Sequence, residues 1–235
     1  MASAHPHILG NFEKALQDSR SRLLMMASIT RRNLSNAIKG LLQRDTAFCN
    51  QAIADDDEID QLEKDVDQDC MAILLRYHPI AHDLRQIMTT MKIATNLERV
   101  SDLASGIAKR ARKLNDLPEV SDVKLIEPIY NVADRLFEDS MTAFADCNHE
   151  LAQSLIKQDD ELDKAHKKFV KFVTNVIETE GKNVQAYLHL ITIARNLERV
   201  GDHASNIGEE IVYMERAEDI RHLHADRDKK KKKKE

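Results

Sequence analysis

Two stretches of this chain are nearly the same, and that repetition limits the fold more than any other feature. Residues 91–107 read MKIATNLERVSDLASGI and residues 191–207 read ITIARNLERVGDHASNI, with 11 of 17 positions identical. Each position in the second stands 100 residues after its counterpart, so Asn96-Leu97-Glu98-Arg99-Val100 returns as Asn196-Leu197-Glu198-Arg199-Val200, with Asp102 and Asp202 two places on. Upstream, Asp57-Glu58-Ile59-Asp60 is echoed 103 residues later by Asp160-Glu161-Leu162-Asp163. Chance likeness between two amphipathic helices accounts for matching apolar positions, but not for Asn, Glu, Arg and Asp recurring together. The chain therefore reads as two like units, each ending on the motif.

Those units read as all-helical. With 6 Gly and 4 Pro in 235 residues, few connections are available, which favours long helices over many short strands. Apolar residues recur at helical spacing throughout. A first helix is expected over about 12–42, and a second restarts after Asp45 and carries Ile59, Leu62, Val66, Cys70 and Ile73. His78-Pro79 stops it, because the residue before proline is pushed out of helical geometry. Asp83 is expected to cap a third helix reaching about 113, with Arg85 solvated. Residues 115–122, with Pro118, form the linker; helices follow to about 145, over about 150–180 with Gly181 ending it, and over about 184–216. The expected architecture is two pseudo-symmetric three-helix bundles, 8–114 and 122–217, then a charged, lysine-rich, disordered tail, 218–235.

Within each motif the acids stand four residues apart, Glu98 with Asp102 and Glu198 with Asp202, so each pair shares a helical face flanking the core seam of Leu97/Val100 and Leu197/Val200. Alone this is weak: 40 acids in 235 residues give roughly seven such pairs by chance, most of them solvated faces. The neighbouring helix strengthens it. An antiparallel hairpin turning near Ile80 sets Glu98 level with Glu63 and Asp102 level with residues 58–60, and Glu63 opens a second Glu-x-x-x-Asp ending at Asp67. A turn near Lys182 sets His166 level with Glu198 and Asp163 close to Asp202. Both turns bring carboxylates of adjacent helices to one patch per half.

Oxygen-rich patches without thiolate suit Mg²⁺, Ca²⁺, Mn²⁺ or iron, and His166 tilts the second towards iron, zinc or manganese. The competing reading is a surface ladder in which Arg99, Arg199, Lys64 and Lys167 balance the acids. His203 is either an outer ligand or an ordinary helix histidine beside an acid. For the lysine run 229–234 a solubilising tail is the default, with phosphate-rich polymers or acidic headgroups as the alternative partners.

Other classes are disfavoured. A net charge of −5 gives no general basic field for nucleic acid. Cys49, Cys70 and Cys147 are odd in number and widely spaced, which reads as reduced thiols. The N-terminus has no signal-peptide pattern and no apolar run reaches membrane-spanning length, so a soluble cytoplasmic protein without membrane insertion is expected. Neither a nucleophile constellation nor a phosphate-cradling glycine loop is visible, so no enzymatic activity is expected.

The duplicated Glu-Arg-Val-x-Asp, with Asp83-Leu84-Arg85 before the first copy and Val212-Tyr213 after the second, resembles the signature of PhoU proteins over residues 8–217. The resemblance implies six helices in two bundles and, for some members, multinuclear metal clusters on the motifs. It also implies action with the Pst phosphate transporter ATPase and a PhoR-type sensor kinase, restraining phosphate uptake and PhoR–PhoB signalling. Carried over residue by residue it points to Glu63, Asp67, Glu98 and Asp102, and to Glu198 and Asp202. The departure is that His166 stands for Glu63 and Val170 for Asp67, implying a second site that is poorer or takes a different metal. A homodimer through the long first and fourth helices is expected. Competing functions are a metal-independent helical scaffold and a ferritin-type di-metal oxidase; the latter needs two Glu-x-x-His motifs, and only Asp163-x-x-His166 is present.

Overall fold

A computed structural model describes residues 5–221, and every regular element among them is helical. The run 229–234 lies outside the described residues. In chain order the helices are α1 (His5–Leu42), α2 (Thr46–Ala54), α3 (Asp56–Tyr77), α4 (Ala81–Asn115), then a 3-10 turn (Ser121–Ile126), α5 (Glu127–Ala145), α6 (His149–Glu180) and α7 (Val184–Arg216). The first half packs α1, α3 and α4 together, with α2 against α1 and α4; the second packs α5, α6 and α7. Two seams join them. Along one, α4 lies against α7; along the other, α1 meets α5, where Arg31 holds Asp134 at 2.9 Å and Glu138 at 2.7 Å.

The duplication extends beyond the motif. Buried Met26, Thr30, Asn33, Leu34, Ala37, Ile38 and Leu41 of α1 each stand 103 residues before a buried residue of α5: Ile129, Ala133, Leu136, Phe137, Ser140, Met141 and Phe144. The same step takes α2 and α3 together onto α6, and Asp45 onto Asn148. Both of those side chains cap: Asp45 accepts from the Ala47 amide at 2.8 Å and Asn148 from the Leu151 amide at 3.0 Å. The offset shortens to 100 at the motifs because α4 begins 17 residues before Glu98 and α7 only 14 before Glu198.

Three expectations are corrected. The second helix is a rod broken at Asp55, which is only 6% exposed and takes Gln51 Nε2 at 2.6 Å and Arg32 at 3.3 Å. Its amide still reaches the Gln51 carbonyl at 3.0 Å, so the axis carries on. Asp83 does not cap α4: Ile80 is the N-cap residue, extended after the left-handed His78 that closes α3, and Asp83 lies in the first turn, where its charge faces the positive end of the helix dipole. Arg85 is not merely solvated, since its Nε donates to the Met214 carbonyl at 3.0 Å and ties α4 to the end of α7. Gly181 closes α6 in the left-handed region (φ 63), as expected. No described helix is long and apolar enough to cross a membrane.

Candidate functional site

Along α4, Leu97, Val100, Ala104 and Ile107 are fully buried, which turns Glu98 and Asp102 onto the flank facing α3. Glu98 is half-buried, its side chain 16% exposed, whereas Asp102 is 51% exposed. Burial raises the Glu98 carboxyl above its ordinary range, Asp102 raises it further, Arg99 pulls it back, and Glu63 and Asp60 on α3 add to the rise. Glu98 Oε2 is shut off from solvent and accepts no hydrogen bond; Arg99 Nε lies 3.3 Å away but without hydrogen-bond alignment. Asp67, half-buried further along α3, is not among the charges acting on Glu98; it acts on the Cys70 thiol, which burial lifts to about 11.

An acid that sequence reasoning missed is tied to the motif helix. Asp56, in the first turn of α3, accepts a 2.6 Å hydrogen bond from the Ser101 hydroxyl, and Ser101 accepts one from Asn33 Nδ2 at 3.0 Å. Asn33 and Ser101 are both fully buried. The result is a polar chain through the first bundle, from α1 across α4 to α3.

In the second half the same three positions hold Leu136, Gly201 and Asp159. A methyl placed on Gly201 would stand 2.3 Å from Leu162 Cδ2, 3.0 Å from Asp159 Oδ1 and 3.5 Å from Leu136 Cδ1. Asp159 therefore lies over a glycine with leucines beside it. Its carboxyl is pushed up to about 7, by burial first and then by Asp202, Asp163, Glu198 and Asp160, all of them acids. Asp202 is pushed up to about 6 by burial, Glu198 and Asp163, against Arg199. Because Asp202 reaches solvent, the two neighbouring acids, rather than burial, carry that direction. Glu198 is raised by burial and Asp163, with Arg195, Lys167 and Arg199 opposing. Asp163 thus belongs to the patch, and its Oδ2 also accepts from Lys167 at 2.7 Å. His166 is half-buried with Nε2 unpartnered; burial lowers its pKa, Asp163 raises it, and Arg195 and Lys167 lower it.

Each half therefore gathers acids on two adjacent helices, with Glu63, Glu98 and Asp102 in the first and Asp163, Glu198 and Asp202 in the second. Asp159 joins the second, and Asp56 is its counterpart in the first half. Their signal was present in the sequence, because the 103-residue echo extends one step upstream to Asp56 and Asp159. As the side chains stand, no three His, Cys, Asp or Glu among the described residues are arranged to hold a metal ion. The donor chemistry nonetheless suits a hard cation: oxygens only in the first patch, oxygens with one imidazole near the second, and carboxyls that raise one another. His203 is turned away, its Nδ1 hydrogen-bonded at 2.9 Å to Asn96 Oδ1 across the α4–α7 seam.

A sequence model described as the PhoU domain matches twice, over residues 23–111 and 126–211, and both matches contain a motif and its patch. The chain belongs to the PhoU family. A Pseudomonas aeruginosa relative named phosphate-specific transport system accessory protein PhoU homolog is 32% identical over 218 residues, covering 92% of this chain and 90% of the relative. A Thermotoga maritima relative named as homolog 1 of the same protein is 31% identical over 212 residues, covering 90% and 91%. Among solved structures, the crystal structure of PhoU from Pseudomonas aeruginosa has a TM-score of 0.85 at 31% identity, over 88% of this chain and 100% of that one. The phosphate transport system regulatory protein PhoU from Streptococcus pneumoniae shares the fold, with a TM-score of 0.81 at 24% identity over 89% and 99%.

Proposed function

We propose that this chain is a non-catalytic accessory regulator of a phosphate-specific transport system. It works in the cytoplasm by restraining Pst-type uptake and PhoR–PhoB starvation signalling through contacts with the transporter ATPase and the sensor kinase. The observation that carries the reading is the pair of acid patches at corresponding places in the two halves of a PhoU fold. The curated relatives that match most of this chain carry the name of a phosphate transport accessory protein. The test is deletion of the gene in its host under phosphate excess, with phosphate accumulation and starvation-gene output measured. Both should rise. If neither changes and no related gene compensates, the regulator reading fails.

The metal-dependent form of the reading assigns a cation to each patch: Glu98, Asp102, Glu63 and Asp56 in the first, Glu198, Asp202, Asp163 and Asp159 with His166 in the second. Mg²⁺, Mn²⁺, Ca²⁺, iron and zinc are the candidates. When bound, the ion supplies positive charge that lets the carboxylates close together and presents a neutralised surface to acidic or phosphorylated partners. The side chains as they stand do not form a ligand set, so the scaffold reading, with no metal, stays as the specific rival. Metal analysis of purified protein against its Glu98→Ala/Asp102→Ala variant separates them: equal metal content per chain makes the acids a solvated ladder. Light scattering tests the accompanying proposal of a homodimer.

A further inference from the structure

The two halves differ most sharply at the place where α1 outruns α5. Helix α1 has 38 residues and α5 has 19, so residues 24–42 of α1 match α5, residues 18–23 match the 3-10 turn, and no described helix packs along α6 in place of the part before them. In the first half that part runs along α3, its Phe12 ring 5.2 Å from Tyr77, and Arg22 closes the joint by pairing with Asp69 at 3.0 Å and Asp65 at 3.2 Å. The residues 103 places on from Arg22, Asp65 and Asp69 are Leu125, Lys168 and Phe172. An ion-paired seam has become a largely apolar one, and no described helix lies over it.

What remains is a groove of about 350 Å³ floored by Leu125, Pro128, Ile129, Phe169 and Phe172, with Lys168 at its edge. Leu125 and Phe172 are each 41% exposed. Lys164, Lys168 and Lys171 are all exposed and run along one face of α6 at steps of four and three, and exposed Lys124 precedes Leu125 in the chain. Their first-half counterparts are Gln61, Asp65, Gln68 and Ser21, so the basic rim is peculiar to the second half. The nearby acids are Glu127, exposed at the start of α5, and Glu161, exposed one turn before Lys164 and paired with Arg135 at 3.4 Å.

We propose that this groove docks an amphipathic helix of a partner protein, laid over the seam between α5 and α6. The partner helix carries apolar residues at i, i+3, i+4 and i+7 for the floor, and Asp or Glu on the flank that meets the lysines. Helix-in-groove recognition uses this division of labour, apolar anchors for affinity and flanking charge for selection. The groove is concave, with Phe169 only 5% exposed at its base and Leu125 and Phe172 at its lip, a shape that takes up the side chains of a helix. The lysine rim excludes a basic helix by like-charge repulsion. The proposal needs neither acid patch nor a cation.

The test uses the full chain and a labelled amphipathic peptide of about five helical turns, with Leu or Phe at the four anchor positions and Glu on the flank. A sequence-scrambled peptide and a Lys-flanked version serve as controls. By fluorescence anisotropy the Glu-flanked peptide should bind, the scrambled one should not, and Phe172→Ser should weaken binding about tenfold or more. Lys168→Glu with Lys171→Glu should reverse the preference between the Glu- and Lys-flanked peptides. Because Phe172 and both lysines are exposed, the variants keep the fold, which their melting curves will show. No binding above the scrambled control overturns the proposal, as does binding that Phe172→Ser leaves unchanged. Sedimentation with phosphatidylglycerol vesicles that Phe172→Ser abolishes, without peptide binding, makes the groove a membrane contact instead. Loss of self-association in Phe172→Ser, by light scattering, makes it an interface between copies of this chain.

Discussion

The two acid patches share a backbone and a motif but settle their buried charge in different ways. In the first half Asp56 is held by the Ser101 hydroxyl, itself held by Asn33, and Arg99 stands beside both Glu98 and Asp102. In the second, Leu136 and Gly201 replace the two donors and the charges that act most on Asp159 are acids. A carboxylate with a hydrogen-bond donor keeps its charge at modest cost, whereas one set among apolar groups and like charges takes up a proton or waits for a cation. The sequence, through His166 and Val170, suggested a second site that is poorer or takes a different metal. Gly201 and Leu136 point instead to a second patch with the greater need for positive charge.

The largest expected effect follows from that need. Mn²⁺ or Mg²⁺ at about a hundred times its dissociation constant stabilises a one-site protein by about 2.7 kcal/mol, which for a chain of this size is a rise of about 5–10 °C in Tm. Glu198→Gln with Asp202→Asn should remove more of that rise than Glu98→Gln with Asp102→Asn, and should also raise the melting point without metal. Thermal melts with and without the ion decide it. An equal loss from both pairs would end the distinction between the halves.

Next in size is the polar chain. Ser101→Ala leaves buried Asn33 Nδ2 and Asp56 Oδ1 short of a partner and should lower stability by about 1–3 kcal/mol in urea melts. Gly201→Ser does not transplant the chain, because Leu136 stands where Asn33 would be and the new Cβ meets Leu162 Cδ2 at 2.3 Å. It should destabilise by about 1–3 kcal/mol through overpacking. A stabilising Gly201→Ser would show that Asp159 lacks only a hydroxyl.

These residues mark the limit of sequence reading. The long helices and the facing of Glu63 with Glu98 were legible, because period and turn position alone determine them. Asn33 and Leu136 were not: α1 and α5 share their burial pattern and almost no identities, so their equivalence appears only once packing is seen. The break at Asp55 escaped for a related reason. Its counterpart Gln158 lies within an unbroken helix, and what distinguishes Asp55 is its contact with Arg32 on α1, a tertiary fact. Asp83 looked like a cap because it follows a proline stop, yet the left-handed His78 and extended Ile80 had already reset the chain.

The pH response has a definite sign. Asp159, held near 7, and Asp202, raised by its neighbours Glu198 and Asp163, keep protons that the unfolded chain has released above about pH 4. The native state then binds more protons than the unfolded one, so these two groups make stability fall as pH rises from about 4 to 7, and the loss is complete above that. Half-buried His166, His189 and His203, whose pKa values are lowered, act the other way, since their contribution is lost as pH falls through about 6.5. Comparing the chain with Asp159→Asn isolates the acid: the variant should be more stable at pH 8 without metal, with the advantage shrinking towards pH 4. An advantage independent of pH would mean that Asp159 is not protonated at neutral pH.

The smallest expected effect is on Lys167, whose Nζ lies 2.7 Å from Asp163 Oδ2 four residues earlier, with 72% and 37% of the two side chains exposed. A pair of this kind contributes about 0.3–0.5 kcal/mol, so Lys167→Ala should move the urea midpoint by no more than that. Its effect on the patch is separate, because the lysine now opposes the upward shift of Glu198 while Asp163 drives it. Removing that charge leaves Asp163 and Glu198 facing each other with less compensation. Cation affinity at the second patch should then rise a few-fold at low salt and return towards the unmodified value at high salt, where exposed charges are screened. The first patch, which has Arg99 in the equivalent electrostatic role from its own motif helix, should be unaffected. Titrating Mn²⁺ into Lys167→Ala in the background of Glu98→Gln/Asp102→Asn reads the second patch alone. Weaker binding there would mean that the lysine organises Asp163 rather than competing for it, and the contrast drawn between the halves would need another cause.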